Sequence, residues 1–367
     1  MRRLGTLWVG LALTLCVGAC GDDESSSEDA SDAPGIGSSC MPGNLVFCAC
    51  DVGTGSTTCD SSGVITSCFC GDPATGGTGG MTQVGSGGTQ QAGSGGDTGS
   101  GGAGGDPPPG DSGPFPAAAD FGSNGPFPTF TDDAVGPGNA FTIHRPSMPG
   151  VNPNGGAALR HPIITWGNGT GTTPSSYTFL LSNLASHGFI VIASNSTQVG
   201  SGAEMLQGVD WIIQQDGDAG SPMFGAVDAS KVGATGHSQG GFGTMQAAND
   251  PRITAIAPIQ GASSRGITLH GPALILSGGM DTTVSPSSVR AAYDGLSGVP
   301  LFYGELTTAD HTDWILAGFS GNSGYTAPVT AWMRAHLMGD DTARAPFYGP
   351  SCGLCTDGAW ITDSKGL

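Results

Sequence analysis

Short apolar runs alternate with helix-like segments from about Phe115 to the end of this 367-residue chain, and this alternation constrains its fold most strongly. Seven runs have the length and continuous apolar character of buried strands: FTIHRP, HPIITWGNG, FIVIASN, KVGATGHS, ITAIAPIQ, PALILSGG and PLFYGEL. Helix-compatible segments lie between most of them, and APVTAWMRAHLMGDD follows the last. Strands that alternate with helices form a mostly parallel sheet covered on both faces. The sequence therefore predicts one α/β domain over residues 113–367.

The residues before this domain divide into four segments of different composition. Residues 1–19 begin with MRR and continue as an apolar stretch too short to remain as a membrane span, which is typical of a signal peptide. Residues 20–39 are acidic and almost free of apolar side chains, as in a solvated tether. Residues 40–70 are rich in cysteine, and residues 71–112 form a flexible linker of Gly, Ser, Thr and Pro.

The leader ends in VGAC, which resembles the lipobox of bacterial lipoproteins. The resemblance implies cleavage before Cys20, lipidation of its thiol and attachment to a membrane. An ordinary signal peptide cut nearby, with Cys20 in a disulfide, is the alternative. Either interpretation predicts that the protein is exported.

Cysteine usage agrees with export, because paired cysteines in a short exported segment form disulfides. Residues 40–70 have too few apolar side chains for a core of their own, so we expect three disulfides whose pairing the sequence leaves open. A zinc site is the rival interpretation, although CxC pairs without a nearby histidine fit it poorly. Cys352 and Cys355, in CGLC, predict a small structural disulfide. Residues 40–70, called the cysteine module below, contain Cys40, Cys48, Cys50, Cys59, Cys68 and Cys70.

Charge excludes one class of partner. Acidic residues outnumber basic ones by 30 to 11, and the formal net charge is −19 at pH 7. Such a chain is repelled by nucleic acid and by anionic lipid, and no basic stripe counters the repulsion. We therefore expect no nucleic-acid partner.

Ser238 lies in GHSQGG, the one G-x-S-x-G match in a chain with 66 glycines. A strand-like run precedes it and a helix-compatible run follows. Small residues at positions 236 and 240 suit a sharp strand-to-helix turn that exposes the serine hydroxyl above the sheet. The helix N-terminus at this point favours developing negative charge. Ser238 is thus a candidate nucleophile, and a passive serine in a glycine-rich turn is the alternative.

A serine nucleophile needs a base, and in this class of fold the order along the chain is serine, acid, histidine. His311 follows the strand-like run PLFYGEL, where a side chain can reach over the carboxyl edge of the sheet. His270 lies in a short connection before a strand, and His336 lies among apolar residues of the last helix. We therefore expect His311 to be the base.

The acid should follow the preceding strand, and PALILSGGMD brings Asp281 to that point. Asp281 would hold the imidazole of His311 in the required tautomer. Other acidic residues nearby are less well placed, in a helix or beside the histidine: Asp294, Asp310 and Asp313.

Two N–H groups are needed where the carbonyl oxygen of a substrate becomes negative. The residue after the nucleophile, Gln239, supplies one. The other should come from the loop TWGNGTGTT after an early strand, and we favour Thr170, with Gly169 and Gly171 as alternatives.

At these motifs the chain resembles the polyesterase–lipase–cutinase family, which includes bacterial cutinases and polyethylene terephthalate hydrolases. SSYTFLLSNLASHGFIVIASNS is the closest match, and GHSQGG, GGMDTTVSP and ADHTDW match the nucleophile, acid and histidine loops. The resemblance implies an α/β-hydrolase fold and the same Ser238, Asp281 and His311. It implies an ester substrate, with lipids and polymers among the candidates, and no metal or organic cofactor.

The chain departs from this family where the substrate cleft is lined. The family carries an aromatic residue, Met, Trp and an apolar residue at the positions that read here Thr170, Gln239, Ala262 and Thr283. These smaller and more polar residues make aromatic polyesters doubtful substrates and favour shorter or more polar esters. Trp166 and Trp314 could compensate, but core packing is the more natural role for both.

The sequence as a whole predicts an exported, monomeric serine ester hydrolase, anchored to a bacterial membrane or cell surface through Cys20. Acylated polysaccharides are candidate substrates beside cutin-like polyesters and lipids. A surface binding protein with an inactive hydrolase fold is the alternative, because a fold does not establish activity.

Overall fold

The structure is a computed structural model that describes residues 114–118, 120–312 and 324–367, the strand backbones of 45–49 and 54–58, and Val64. Chain contacts divide the protein into two units, Met1–Ser100 and Gly101–Leu367. In the first unit, strands β1 (Leu45–Ala49) and β2 (Thr54–Thr58) pair antiparallel. Several predictions concern residues outside this description: the leader, tether and linker, Cys20, the side chains of the six module cysteines, Asp313 and Trp314.

A nine-stranded sheet forms the second unit. Its strands in chain order are β3 Thr129–Val135, β4 Phe141–Pro146, β5 His161–Gly167, β6 Ile190–Ser194, β7 Val227–His237, β8 Ile253–Ile259, β9 Ala273–Gly278, β10 Leu301–Leu306 and β11 Trp360–Lys365. In space they run β11-β10-β9-β8-β7-β5-β6-β4-β3. Strands β5 to β10 pair in parallel, whereas β3, β4 and β11 join antiparallel. The predicted fold class, a mostly parallel sheet of the α/β-hydrolase kind, is confirmed.

Helices cover both faces of this sheet. They are α1 Thr178–Ser186, α2 Ala203–Gly217, α3 Gln239–Ala247, α4 Pro286–Gly295, α5 Thr326–Met333 and the single turn α6 Gly353–Thr356. One hydrophobic core lies under α1 and α5, and a second lies under α2, α3 and α4. The central strands are therefore buried on both sides, which explains their continuous apolar runs.

The seven runs predicted as strands are strands β4 to β10. The segment predicted as one last helix ends earlier, because α5 passes into a π-helical turn over Arg334–Met338. His336 lies in that turn with its ring 4.3 Å from that of Trp332. This contact gives His336 a packing role.

Two smaller features complete the described part of the chain. Cys352 and Cys355 are joined by a disulfide that encloses only the turn of α6. Within the described residues, no helix is both long enough and apolar enough to cross a bilayer.

Candidate active site

Ser238 lies between the last residue of β7 and the first residue of α3, at the centre of the sheet. Its backbone has φ 55° and ψ −118°, a conformation that a residue with a Cβ rarely adopts. Such a conformation costs on the order of 1–3 kcal/mol and persists only where the surroundings impose it. This conformation turns the chain sharply and directs the Ser238 side chain away from both the strand and the helix.

Two glycines make this turn possible. A Cβ on Gly240 would overlap the carbonyl group of Gly167 in β5, and one on Gly236 would lie 2.5 Å from the Gly240 oxygen. The start of α3 therefore packs backbone to backbone against the end of β5. This close approach explains why the residues two positions before and two positions after Ser238 are glycines.

Ser238, Asp281 and His311 form a continuous hydrogen-bonded chain. The Nε2 atom of His311 lies 2.9 Å from the Ser238 Oγ atom, and its Nδ1 atom lies 2.7 Å from an Asp281 carboxylate oxygen. A carboxylate only accepts hydrogen bonds, so Nδ1 carries the hydrogen and Nε2 is free to accept the one from Ser238. The three side chains follow β7, β9 and β10, and parallel strands bring these ends to one edge of the sheet.

The carboxylate of Asp281 is fully occupied. Its side chain is 0% exposed, and the oxygen that does not face His311 accepts the amides of Thr283 and Val284 at 2.8 Å each. These bonds fix the carboxylate plane, so its second oxygen points at the imidazole. The turn after β9 therefore orients the acid.

The residues that the sequence analysis considered less suitable as the catalytic acid or base make other contacts. Asp294 pairs with Arg290 on α4, and an oxygen of Asp310 accepts the Thr312 amide. His270 is exposed and lies 3.3 Å from the Asn249 carbonyl.

The three candidate amides of the loop after β5 differ in their hydrogen-bond partners. The Gly169 amide donates to the Tyr177 hydroxyl at 3.0 Å, and the Gly171 amide donates to the Thr197 carbonyl at 3.4 Å. The Thr170 amide has no partner within the described part of the chain. The Gln239 amide opens helix α3 and has no partner inside the helix. Thr170 and Gln239 are thus the amides available to an incoming oxygen.

The Gln239 side chain does not point freely into the cleft. Its oxygen accepts the Val199 amide at 3.0 Å, and its Nε2 group donates to the Gln198 oxygen at 2.9 Å. The nucleophile turn is therefore tied to the loop after β6. Thr170 and Thr283 are exposed, and Ala262 is only 7% exposed. Trp166 is fully buried against Tyr177, in agreement with the predicted packing role.

Sequence reasoning missed three buried side chains around the triad. His237, Tyr177 and Gln260 all lie within hydrogen-bond distance of the loops that carry the candidate catalytic groups. His237 is visible in the nucleophile motif itself, but nothing in the sequence indicates its partners. The described residues contain no cluster of three or more His, Cys, Asp or Glu side chains that could hold a metal ion.

This mostly parallel sheet, with a serine at a strained strand-to-helix turn and a histidine and an aspartate after later strands, defines an α/β hydrolase. The family model described as PET hydrolase-like matches residues 108–355. The chain belongs to that family, and the resemblance seen in the sequence is confirmed.

Curated relatives agree with this assignment. The chain is 32% identical over 234 residues to cutinase est1 of Thermobifida alba, which covers 58% of this chain and 76% of the relative. Cutinase est2 of the same organism is 29% identical over 241 residues, with 58% and 75% covered. A bis(hydroxyethyl) terephthalate hydrolase of Streptomyces coelicolor is 30% identical over 190 residues, with 48% and 57% covered. These relatives support ester hydrolysis as the activity of the family to which the chain belongs.

Proposed function

We propose that this protein is an exported serine carboxylic-ester hydrolase in which Ser238 is the nucleophile, His311 the general base and Asp281 the residue that orients it. The observation that carries the proposal is the unbroken series of hydrogen bonds from Asp281 through His311 to the Ser238 hydroxyl, at 2.7 and 2.9 Å. A serine hydroxyl becomes an effective nucleophile when an oriented imidazole accepts its proton. Membership of a family of hydrolases supports the same activity.

The reaction follows from this arrangement. His311 Nε2 takes the proton of Ser238 as its Oγ atom bonds to the ester carbonyl carbon, and the carbonyl oxygen becomes an oxyanion. The amides of Thr170 and Gln239 donate to that oxyanion, aided by the N-terminus of α3. The imidazolium then gives its proton to the departing alcohol, which leaves an acyl-enzyme. Water, deprotonated by His311, releases the carboxylic acid and restores Ser238.

A covalent label tests the proposal. A fluorophosphonate is expected to phosphonylate the intact protein once, and peptide mapping should place the added mass on Ser238, because its hydroxyl lies 2.9 Å from the imidazole that Asp281 orients. A p-nitrophenyl ester should release a burst of p-nitrophenol equal to the enzyme concentration, as expected when an acyl-enzyme accumulates. The Ser238→Ala variant is the control. Equal ester hydrolysis by wild type and variant would refute the proposal and favour an inactive binding protein.

Short or polar esters, such as acylated polysaccharides, are the substrates that the rim of the cleft supports best. Gln239 is held by Val199 and Gln198. The matching rim positions Thr170, Ala262 and Thr283 are small or polar, so these four positions offer little apolar surface to a long acyl chain. We expect acetyl and butyryl esters to be hydrolysed faster than palmitoyl esters, with little release of acids from a polyester film.

The Gln239→Met variant should raise the relative rate on longer esters by about fivefold or more, since a buried methylene is worth about 1–3 kcal/mol in discrimination. Gln246→Met, on the exposed side of the same helix, is the matched control and should leave the ratio unchanged. A wild-type preference for palmitoyl esters or film would contradict this substrate assignment.

Export and attachment to a membrane through a lipid on Cys20 complete the proposal. The leader and the VGAC sequence support them, and the acidic residues 21–39 would then separate the enzyme from an anionic surface. Palmitate labelling of wild type but not of Cys20→Ser would support the anchor.

A further inference from the structure

Two buried side chains outside the triad connect the loop of the oxyanion amides with the loop of the base. Tyr177 ends the 3₁₀ turn Pro174–Tyr177, and His237 is the residue before Ser238. The Tyr177 hydroxyl accepts the Gly169 amide and lies 3.0 Å from His237 Nδ1. On the other side of the ring, His237 Nε2 lies 3.0 Å from the backbone carbonyl of His311. One phenol and one imidazole therefore bridge the two loops.

The direction of these hydrogen bonds follows from the groups involved. A backbone carbonyl only accepts, so His237 Nε2 must carry a hydrogen and donate it to His311. In a neutral imidazole the other nitrogen, Nδ1, is then bare and accepts the hydrogen of the Tyr177 hydroxyl. The phenol oxygen in turn accepts the Gly169 amide. The result is a one-way series from Gly169 through Tyr177 and His237 to His311.

Burial keeps both groups in the required protonation state. The pKa of His237 is lowered to about 3, mainly by burial and secondly by the neighbouring His311. The His237 ring is therefore neutral at physiological pH. Burial also raises the pKa of Tyr177, so its hydroxyl keeps the hydrogen that it donates. The His237 ring centre is 4.8 Å from that of His311, close enough for its tautomer to matter to the base loop.

A second side chain holds the same loop from the neighbouring strand. Gln260 follows β8, and its Nε2 group donates to the Asp310 carbonyl at 2.5 Å. The Asp310 carbonyl is thus held by the residue after β8, and the His311 carbonyl is held by the last residue of β7. These two strands are parallel neighbours in the sheet. The contact through His237 continues through Tyr177 to the loop of Thr170.

We propose that Tyr177 and His237 are one positioning unit, in which the Tyr177 hydroxyl fixes the tautomer of His237. The unit thereby holds the loop that carries Thr170 in a fixed position relative to the loop that carries His311. Neither residue is placed to contact the reacting atoms, so both act through Thr170 and His311. The inference rests on the proposed ester hydrolase function, since its effect on turnover is measured with an ester.

Tyr177→Phe is the informative change. The phenylalanine ring can keep the contact with Trp166, whose ring centre is 4.8 Å from that of Tyr177, but the Gly169 amide and His237 Nδ1 lose their partner. His237 can then adopt the other tautomer, which directs a bare Nε2 at the His311 carbonyl. We expect kcat to fall about tenfold, as for loss of one aligned hydrogen bond, with KM changed by less than about twofold.

One readout and one control variant separate positioning from simple packing. Nitrogen-15 NMR of the histidine rings should show His237 in the single Nε2–H tautomer between about pH 5 and 8 in wild type, and mixed tautomers in Tyr177→Phe. Tyr293→Phe is the matched control, because Tyr293 is buried and its hydroxyl has no hydrogen-bond partner among the described residues. This control should leave kcat and the NMR signals unchanged.

Non-additivity tests whether the pair acts as a unit. The double variant Tyr177→Phe/His237→Leu should lose no more activity than His237→Leu alone, within about twofold, because the second change removes a link that is already broken. Additive losses, equal effects of Tyr177→Phe and Tyr293→Phe, or an Nδ1–H tautomer in wild type would each overturn the proposal. Absence of hydrolysis by wild type would instead refute the proposed function, and the NMR readout would still report on the tautomer.

Discussion

Replacing Asp281 with asparagine is expected to lower kcat about 10⁴-fold while the protein remains folded. Asparagine has the shape of aspartate, and its oxygen can still accept the Thr283 and Val284 amides that hold this side chain. The amide nitrogen would then face His311 Nδ1, and two hydrogens cannot share that contact. The imidazole must adopt the other tautomer, which directs an N–H group at Ser238 and leaves no atom to accept the serine proton.

Steady-state kinetics on a p-nitrophenyl ester measures the loss, and circular dichroism during heating shows whether the fold is intact. Asp294→Asn is the matched control, because Asp294 is an exposed partner of Arg290 on helix α4 and should change kcat by less than about twofold. Retention of more than about a tenth of the activity by Asp281→Asn would contradict the assigned role.

Acid should destabilise the protein well before its carboxylates are protonated. Four histidines are almost completely buried, at 0–3% exposure: His144, His161, His187 and His237. Burial is the main cause that lowers their pKa values, to about 4 for the first three and about 3 for His237. In the unfolded chain the same side chains have a pKa of about 6.5.

The sign follows from proton uptake. Well above their unfolded pKa of about 6.5 these side chains are neutral in both states and do not affect stability. As the pH falls below about 6.5, the unfolded chain binds protons that the folded chain cannot, so the free energy of unfolding decreases. Between about pH 7 and pH 5 the loss is on the order of 2 kcal/mol per histidine. Four such losses are comparable with the whole stability of a typical domain, about 5–15 kcal/mol.

Urea unfolding at about pH 7, 6 and 5 checks this expectation, with the midpoint falling at each step. His144→Gln should make the decline shallower, whereas His270→Gln should not, because His270 is exposed. An unchanged midpoint between about pH 7 and pH 5 would contradict this expectation, because the folded and unfolded chains would then take up equal numbers of protons over this range.

Most of the fold could be predicted because its central strands are buried on both faces and therefore read as continuous apolar runs. The two edge strands could not. β3, with the sequence TFTDDAV, and β11, with WITDSK, are the two outermost strands of the sheet in the described part of the chain, and most of their side chains are partly or fully exposed. Their polar composition resembles that of loops, and only pairing with β4 and β10 makes them strands.

The candidate triad could be predicted for a related reason. Parallel strands end at one edge of the sheet, so residues that follow β7, β9 and β10 meet although they are far apart in the chain. No comparable rule of sheet topology predicts the bridge through Tyr177 and His237. It depends on side-chain directions across 60 residues between these two and 74 residues between His237 and His311. Sequence alone does not specify those directions.

The polar edges of the sheet also bear on how this protein behaves at high local density. An unpaired strand edge exposes a row of amides and carbonyls on which another chain can build. β3 carries Asp132 and Asp133, and its pairing with β4 is interrupted after Asp132, while β11 carries Asp363 and Lys365. Charge and irregularity of this kind oppose edge-to-edge aggregation. The polar composition that makes these strands hard to recognise in the sequence therefore also opposes pairing between neighbouring copies at high local concentration.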